Sequence, residues 1–280
     1  MDLANVVEAR ELTKKFGGFT AVNRINLSVR RGELFGLLGP NGAGKSTTMF
    51  MLSTILPPTG GSAVVNGFDV VREAIAVRRS IGMVFQDYTL DSHLTGFDNL
   101  DIHGRLYGLP ASERRKKIAE VLNLVELNEW RDKLVKTYSG GMKRRLEIAR
   151  GLLHTPKVLF LDEPTLGLDA QTRHHIWDYL RKLKRRGVTM ILTTHYLEEA
   201  DELCDRVAII DHGEIRALGS PSELKKSVAA KTAVQETNSR VARREPSLED
   251  AFLAFTGRGL RDAATSSEQK RVFARMRGWR

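Results

Sequence analysis

The sequence predicts an α/β fold with a mixed, mainly parallel sheet and a helical insertion, and three observations carry that prediction. A glycine-rich loop ending in Gly44-Lys45-Ser46 lies between an apolar run and a helix-forming stretch. A second apolar run, Val158 to Leu161, closes on the paired carboxylates Asp162 and Glu163, and the chain between the two carries helical rather than strand periodicity. Apolar strands that alternate with helices and end in polar residues imply a sheet whose carboxyl edge holds a site.

The first element is Leu34-Phe35-Gly36-Leu37-Leu38, which reads as a buried strand. Gly39-Pro40-Asn41-Gly42-Ala43-Gly44-Lys45-Ser46-Thr47 follows and satisfies the P-loop pattern, and Ser46 to Leu56 reads as a helix ended by Pro57-Pro58. Gly39, Gly42 and Gly44 let the backbone approach phosphate, and the loop as a whole, Asn41 and Ala43 included, is a pocket of N–H donors at a helix N-terminus. Lys45 can reach β and γ phosphates as a point charge, the Ser46 hydroxyl can ligate Mg²⁺, and Thr47 is a further candidate beside them. The competing reading, a glycine-rich turn with an incidental Gly-Lys-Ser, does not account for the strand and helix on either side. The chain is therefore expected to bind a nucleoside triphosphate.

Far more chain separates this loop from the second apolar run than the roughly 30 residues a βαβ unit needs, so a segment is inserted. Ala111 to Leu127 reads as a helix, with Ile118, Val121, Leu122 and Val125 at helical spacing behind a charged lead from Glu113 to Lys117. Thr137-Tyr138-Ser139-Gly140-Gly141 opens a second helix, Met142 to His154, with Leu146, Ala149 and Leu153 on one face. A helical subdomain from about 87 to 155 fits both. Ser139, Gly140 and Gly141 at a helix N-terminus form another anion site, although the P-loop already supplies one.

Val158-Leu159-Phe160-Leu161-Asp162-Glu163, bounded by Pro156 and Pro164, reads as a fully buried parallel strand with its acids at the carboxyl end. Asp162 then falls beside the P-loop and can hold Mg²⁺ directly or through water. Alternation of strand side chains sends Glu163 another way, where it is placed to polarise an attacking water. Paired acids at a strand end also serve as helix caps or surface charges, but beside a P-loop the catalytic reading is preferred. Val188 to Thr193 reads as a further strand, with His195 just after it.

Composition is that of an ordinary globule of 280 residues. No apolar run approaches the roughly 20 residues that cross a bilayer, and the N-terminus lacks a basic stretch followed by an apolar one, so the chain is expected neither to span a membrane nor to be secreted. The single cysteine, Cys204, excludes an internal disulfide and is expected to be buried. His93, His103, His154, His174, His175 and His212 show no metal-ligand spacing. Of the net charge of +10, half lies between residues 258 and 280, where seven Lys or Arg face two acids. That tail is expected to be solvated and disordered.

Taken together, these residues resemble an ATP-binding cassette (ABC) ATPase, the motor subunit of ABC transporters, almost from end to end. Ser139-Gly140-Gly141, ahead of Met142 to Arg150 and the carboxylate strand, matches the family's signature motif. Gln86, after Ile81-Gly82-Met83-Val84-Phe85, matches the glutamine loop; Gly167-Leu168-Asp169 matches the D-loop; His195 matches the switch histidine; and Phe16 lies where an aromatic stacks on adenine. The resemblance implies a P-loop NTPase fold of ABC type with an N-terminal antiparallel β region. It further implies ATP and Mg²⁺ as cofactors, with Gln86 joining Ser46 and Asp162 around the metal and His195 bonding the γ-phosphate beside the catalytic Glu163. Two copies, or one copy and a related ATPase subunit, would close head to tail around two ATP, Ser139 to Gly141 serving the partner's phosphate, with Asp169 also in the nucleotide site. Tyr138 and Met142 depart from the commoner Leu and Gln of the signature, and the second change removes a side-chain amide.

Ser139 to Arg150, Leu161 to Asp169, Thr194 to Asp201 and Pro246 to Leu253 are similar to the drug- and antibiotic-resistance export ATPases. That branch implies an integral-membrane ABC-2 type permease as partner, a peripheral place on the cytoplasmic face of the cell membrane, efflux of a drug, antibiotic or other small amphiphile, and no nucleic acid. Leu248, Ala251, Phe252 and Phe255 stand at helical spacing and would dock on the chain's own domain or on its mate. The expected division is 1–86, N-terminal β region and P-loop core; 87–155, helical signature subdomain; 156–220, the rest of the ATPase core; 221–257, a C-terminal extension; and 258–280, the basic tail. The stretch from Lys225 to Glu245 is shorter than the regulatory segment of many such relatives. The alternative is a soluble ABC ATPase acting on ribosomes or nucleic acid, though neither a second cassette nor a long coiled-coil insertion is present.

Overall fold

Four strands form an antiparallel sheet at one side of the molecule: β1 (Asn5–Phe16), β2 (Phe19–Arg30), β4 (Gly60–Val65) and β5 (Phe68–Asp69), in the order β2-β1-β4-β5. The computed structural model describes residues 5–235, 246–257 and 259. Between β2 and β4 the chain makes β3 (Leu34–Leu38) and α1 (Lys45–Leu52), and after β5 it makes α2 (Ala74–Ser80) and β6 (Ile81–Val84). Helices α3 (Gly96–Leu106), α4 (Ala111–Leu124) and α5 (Gly140–Leu152) then precede β7 (Val158–Asp162). The remainder alternates: α6 (Ala170–Arg185), β8 (Thr189–Thr194), α7 (Leu197–Leu203), β9 (Arg206–Asp211), β10 (Glu214–Gly219), α8 (Pro221–Gln235) and α9 (Leu248–Thr256).

The second sheet runs β10-β9-β3-β8-β7-β6, parallel throughout except for the β9–β10 hairpin. Its register decides where the chemistry gathers. Leu38 pairs with Thr194 and Asp162 with Thr193, so the loops leaving β3, β7 and β8 emerge at one edge. Side chains alternate across this sheet as a two-residue period demands. Phe35, Leu37, Val158, Phe160 and Ile191 pack on one face against Met49 of α1 and Leu12 and Val29 of the antiparallel sheet. Leu34, Leu38, Leu159, Leu161, Met190 and Leu192 pack on the other against Ile176 and Leu180 of α6 and Leu203 of α7. With both faces covered, the central strands are apolar at nearly every position, which is why they were readable as solid runs.

A third cluster belongs to the insertion: Leu100, Ile118, Leu122, Val125, Leu146, Ala149 and Leu153 bury one another. Two helices end earlier than their sequences suggest. The stretch read as Ser46 to Leu56 stops at Leu52, because Thr54 turns left-handed (φ 65°), its N–H bonding Met51 O (3.2 Å) and the Ile55 N–H bonding Phe50 O (2.9 Å). The stretch read as Ala111 to Leu127 stops at Leu124 in the same way, with Glu126 at φ 57° and the Leu127 N–H on Leu122 O (2.9 Å). Both are Schellman closures.

At the C-terminus α9 starts on a capping box, Ser247 with Asp250, and buries Leu248, Ala251 and Phe252 against Ala200, Leu203, Leu224 and Val228 of the same chain. Of the two surfaces left open for this helix, its own domain is the one it covers. Residues 258 and 260–280, which hold the basic tail, and residues 236–245 of the extension lie outside the described residues.

Candidate active site

The P-loop is shaped by close packing as much as by its glycines. Gly44 has φ 105°, and a Cβ there would fall 2.6 Å from Ala21 O; at Gly39 one would fall 2.2 Å from Ile210 O. The β9–β10 turn adds a bond from the Gly213 N–H to Ala43 O (2.9 Å). β2, β9 and that turn therefore brace the loop from behind. Gly44 has no side chain to cap α1, so the first amides of that helix face outward as anion donors.

Lys45, 4% exposed, donates to Gly39 O (2.7 Å) and Pro40 O (3.1 Å) and lies 3.4 Å from Glu163 Oε1. Burial pushes its pKa down and the Glu163 charge pushes back. Asp162 Oδ1 accepts from Ser46 Oγ (2.8 Å) and Thr193 Oγ1 (2.6 Å). Burial lifts its pKa against those two hydrogen bonds. Glu163 Oε2 lies 2.9 Å from His195 Nδ1. Burial would raise the Glu163 pKa, but the His195 bond and the Lys45 charge outweigh it, so the carboxyl is held below its ordinary value.

Alternation along the strand would separate the two acids, yet both face the same site. β7 ends at Asp162, and Glu163 takes a left-handed backbone (φ 45°) that swings its side chain to Lys45 and His195. The alternation rule holds only for extended residues. The Glu163 N–H is fixed in this turn by Thr193 Oγ1 (2.9 Å). Thr193, 0% exposed, thus orients both acids, a role the motif pattern does not point to. Its signal is slight, one of three threonines in β8, next to the last residue of the strand.

Lys45, Ser46, Asp162, Glu163, His195 and the Gly39 carbonyl are joined by these contacts. The donor set suits Mg²⁺: a hydroxyl and a carboxylate within hydrogen-bond distance, beside a phosphate cradle, match a cation that prefers one or two protein oxygens plus phosphate and water. Asn41 is exposed, Gly42 takes φ 82°, and Ala43 and Thr47 are buried.

Ser139, Gly140, Gly141 and Asp169 form a second group. Ser139 Oγ caps α5 by accepting from Met142 N (3.2 Å), and Asp169 caps α6 by accepting from Thr172 N (2.8 Å) and Oγ1 (2.7 Å). A Cβ on Gly141 would fall 2.4 Å from Thr172 Cγ2, so the two caps lie side by side. Ser139, Gly140 and Asp169 are exposed. Tyr138 turns inward and donates to Trp130 O (2.6 Å), and Met142 packs on the insertion's core. Gln86 is exposed after β6, its carbonyl accepting from Arg144 (2.7 Å). Phe16 is half-buried at the β1–β2 hairpin, with the Lys14 ammonium 5.1 Å from its ring centre.

The chain carrying this site is similar to known proteins. The family profile described as ABC transporter matches residues 22–166. The chain is 49% identical over 224 residues, 80% of its own length and 68% of the relative's, to the daunorubicin/doxorubicin resistance ATP-binding protein DrrA of Streptomyces peucetius. It is 42% identical over 236 residues, 84% and 76% of the two lengths, to the linearmycin resistance ATP-binding protein LnrL of Bacillus subtilis. Among solved structures, a dimeric ATP-binding cassette in a post-hydrolysis state with ADP and Pi superposes with a TM-score of 0.68 at 29% identity, over 76% of this chain and 98% of the other.

Proposed function

The chain belongs to the ABC transporter family as an ATP-binding, ATP-hydrolysing subunit, and from that premise we propose that it is the motor of an exporter. Two copies, or one copy and a related subunit, close around two ATP and drive an ABC-2 type permease that expels a drug, antibiotic or other small amphiphile. The observation that carries this reading is the convergence of Lys45, the Ser46–Asp162 pair and the Lys45–Glu163–His195 chain at one sheet edge. A cation and two carboxylates gathered beside a phosphate cradle are what γ-phosphate transfer to water requires.

In this reading the loop amides and Lys45 hold the β and γ phosphates, and Phe16 stacks on the adenine. Ser46, Asp162 and Gln86 hold Mg²⁺, whose charge offsets that developing on the phosphate oxygens. Glu163, held ionised by Lys45 and His195, accepts the proton of the attacking water, and His195 keeps the carboxylate aimed. Ser139, Gly140 and Gly141 serve the nucleotide of the other copy, with Asp169 beside them. The exposure of Ser139, Gly140 and Asp169 and the dimeric relative support that pairing. The names of the two resistance proteins support the cargo. The motor sits on the cytoplasmic face of the membrane, held there by the permease, with residues 87–155 as the helical subdomain that meets it. No observation favours the alternative of a ribosome- or nucleic-acid-directed ATPase.

Glu163→Gln should leave ATP binding intact while lowering kcat by about 10²–10⁴-fold, the usual scale for a lost general base. Robust turnover would remove Glu163 from its role. The same variant, tagged and purified with ATP from detergent-solubilised membranes, should bring down a multi-spanning membrane protein. Ribosomal proteins in its place would move the reading to the alternative.

A further inference from the structure

Residues 85–89, which leave the end of β6, are gripped by one face of α5. Arg144, 1% exposed, donates from Nη1 to Phe85 O (2.6 Å) and from Nη2 to Gln86 O (2.7 Å). One turn on, the buried Glu147 accepts from Thr89 N (2.6 Å) and Thr89 Oγ1 (3.1 Å) through Oε1. Arg150 donates to Thr89 O (3.1 Å) and also touches the Thr89 hydroxyl. Positions 144, 147 and 150 are three apart and so share a helix face. At the start of α5 the Tyr88 hydroxyl donates to Gly140 O (3.1 Å), and the Tyr88 ring centre lies 5.1 Å from the Arg144 guanidinium carbon.

We propose that Arg144 is the positioning residue of the glutamine loop: it ties the Gln86 backbone to α5, so that Gln86 follows the helix carrying Ser139 to Gly141 rather than the strand before it. The inference rests on the reading of Gln86 as a ligand at the metal and water end of the site. Bonds from a charged donor are about twice as strong as neutral ones, and these two come from a buried guanidinium and are themselves partly shielded from water. The planar fork of arginine meets two successive carbonyls at once, whereas a lysine ammonium is a point charge on a flexible stem. The Gln86 side chain is exposed, so its reach is set by where that backbone is held.

A double-mutant cycle on the full chain tests this, with kcat and KM for ATP measured in Mg²⁺. Arg144→Met should lower kcat about 10-fold, the scale on which losing a supporting residue acts, with KM changed by less than about 2-fold. In a Gln86→Ala background the same change should alter kcat by less than about 2-fold, because the group it positions is gone. Equal losses in both backgrounds would overturn the proposal, since a residue that merely stabilises the fold acts whether or not Gln86 is present. If Arg144→Met does not fold, Arg144→Lys goes through the same cycle; a loss that vanishes without Gln86 supports the proposal, and a silent or additive lysine overturns it. Gln86→Ala with unchanged kcat would instead remove the role of Gln86 itself, and that of Arg144 with it.

Discussion

Thr193 shows how much one hydroxyl can organise. It donates to Asp162 and accepts from the Glu163 amide, at a position with no exposure. Thr193→Val keeps the shape but leaves a buried carboxylate short of a donor and a buried N–H without an acceptor, a loss of about 1–3 kcal/mol. Urea unfolding should show it as a lower midpoint at unchanged slope. His103 carries a pH dependence of another kind. Burial first, then the charges of Arg150 and His154, bring its pKa down from 6.5 to about 4. Below pH 6.5 the unfolded chain takes up a proton that the folded one refuses, so the stability present above pH 6.5 is lost as pH falls toward 4. The full loss at this site is about 3 kcal/mol, and His103→Gln should flatten that part of the unfolding profile between pH 7 and 4.

Among elements, the insertion's helices depend on close contacts that no periodicity announces. A Cβ on Gly96 would fall 2.3 Å from the Tyr138 hydroxyl, so the start of α3 and the residue before Ser139 are fitted to each other. The departure to tyrosine at 138 is thereby accommodated: its ring is buried and its hydroxyl bonded to Trp130 O. The helix ends offer a sharper test. Thr54 closes α1 from a left-handed backbone that a β-branched residue adopts at a cost of about 1–2 kcal/mol. Thr54→Gly should therefore raise stability by about 1 kcal/mol, seen as a Tm increase of a few degrees, provided the exposed Arg78 bond to its hydroxyl contributes little.

At the scale of the whole molecule, two sheets and three clusters of buried side chains hold one site between them. α9 belongs to the cluster under β7 and β8, with Phe252 1% exposed. Phe252→Ala should cost about 3–5 kcal/mol, measured by thermal or urea unfolding of the full chain. A cost under about 1 kcal/mol would mean that the helix lies only loosely on its own domain. The parallel register does the remaining work of assembly, because Leu38 beside Thr194 and Asp162 beside Thr193 set the ends of three strands level.

The sheet's central strands, the phosphate loop and the paired acids are legible in the residues alone, because strands buried on both faces must be apolar throughout and a loop that closes on phosphate needs glycine, lysine and a hydroxyl. So is the order of motifs that the family resemblance rests on. Where α1 and α4 stop is visible in the fold alone, since Thr54 and Glu126 take the left-handed cap position that glycine usually marks. The fold likewise turns Glu163 toward Lys45, because a single positive φ overrides strand alternation, and brings Arg144 to the carbonyls of Phe85 and Gln86. Contacts between residues so far apart in the chain are set by packing, and packing leaves no periodic trace in the sequence.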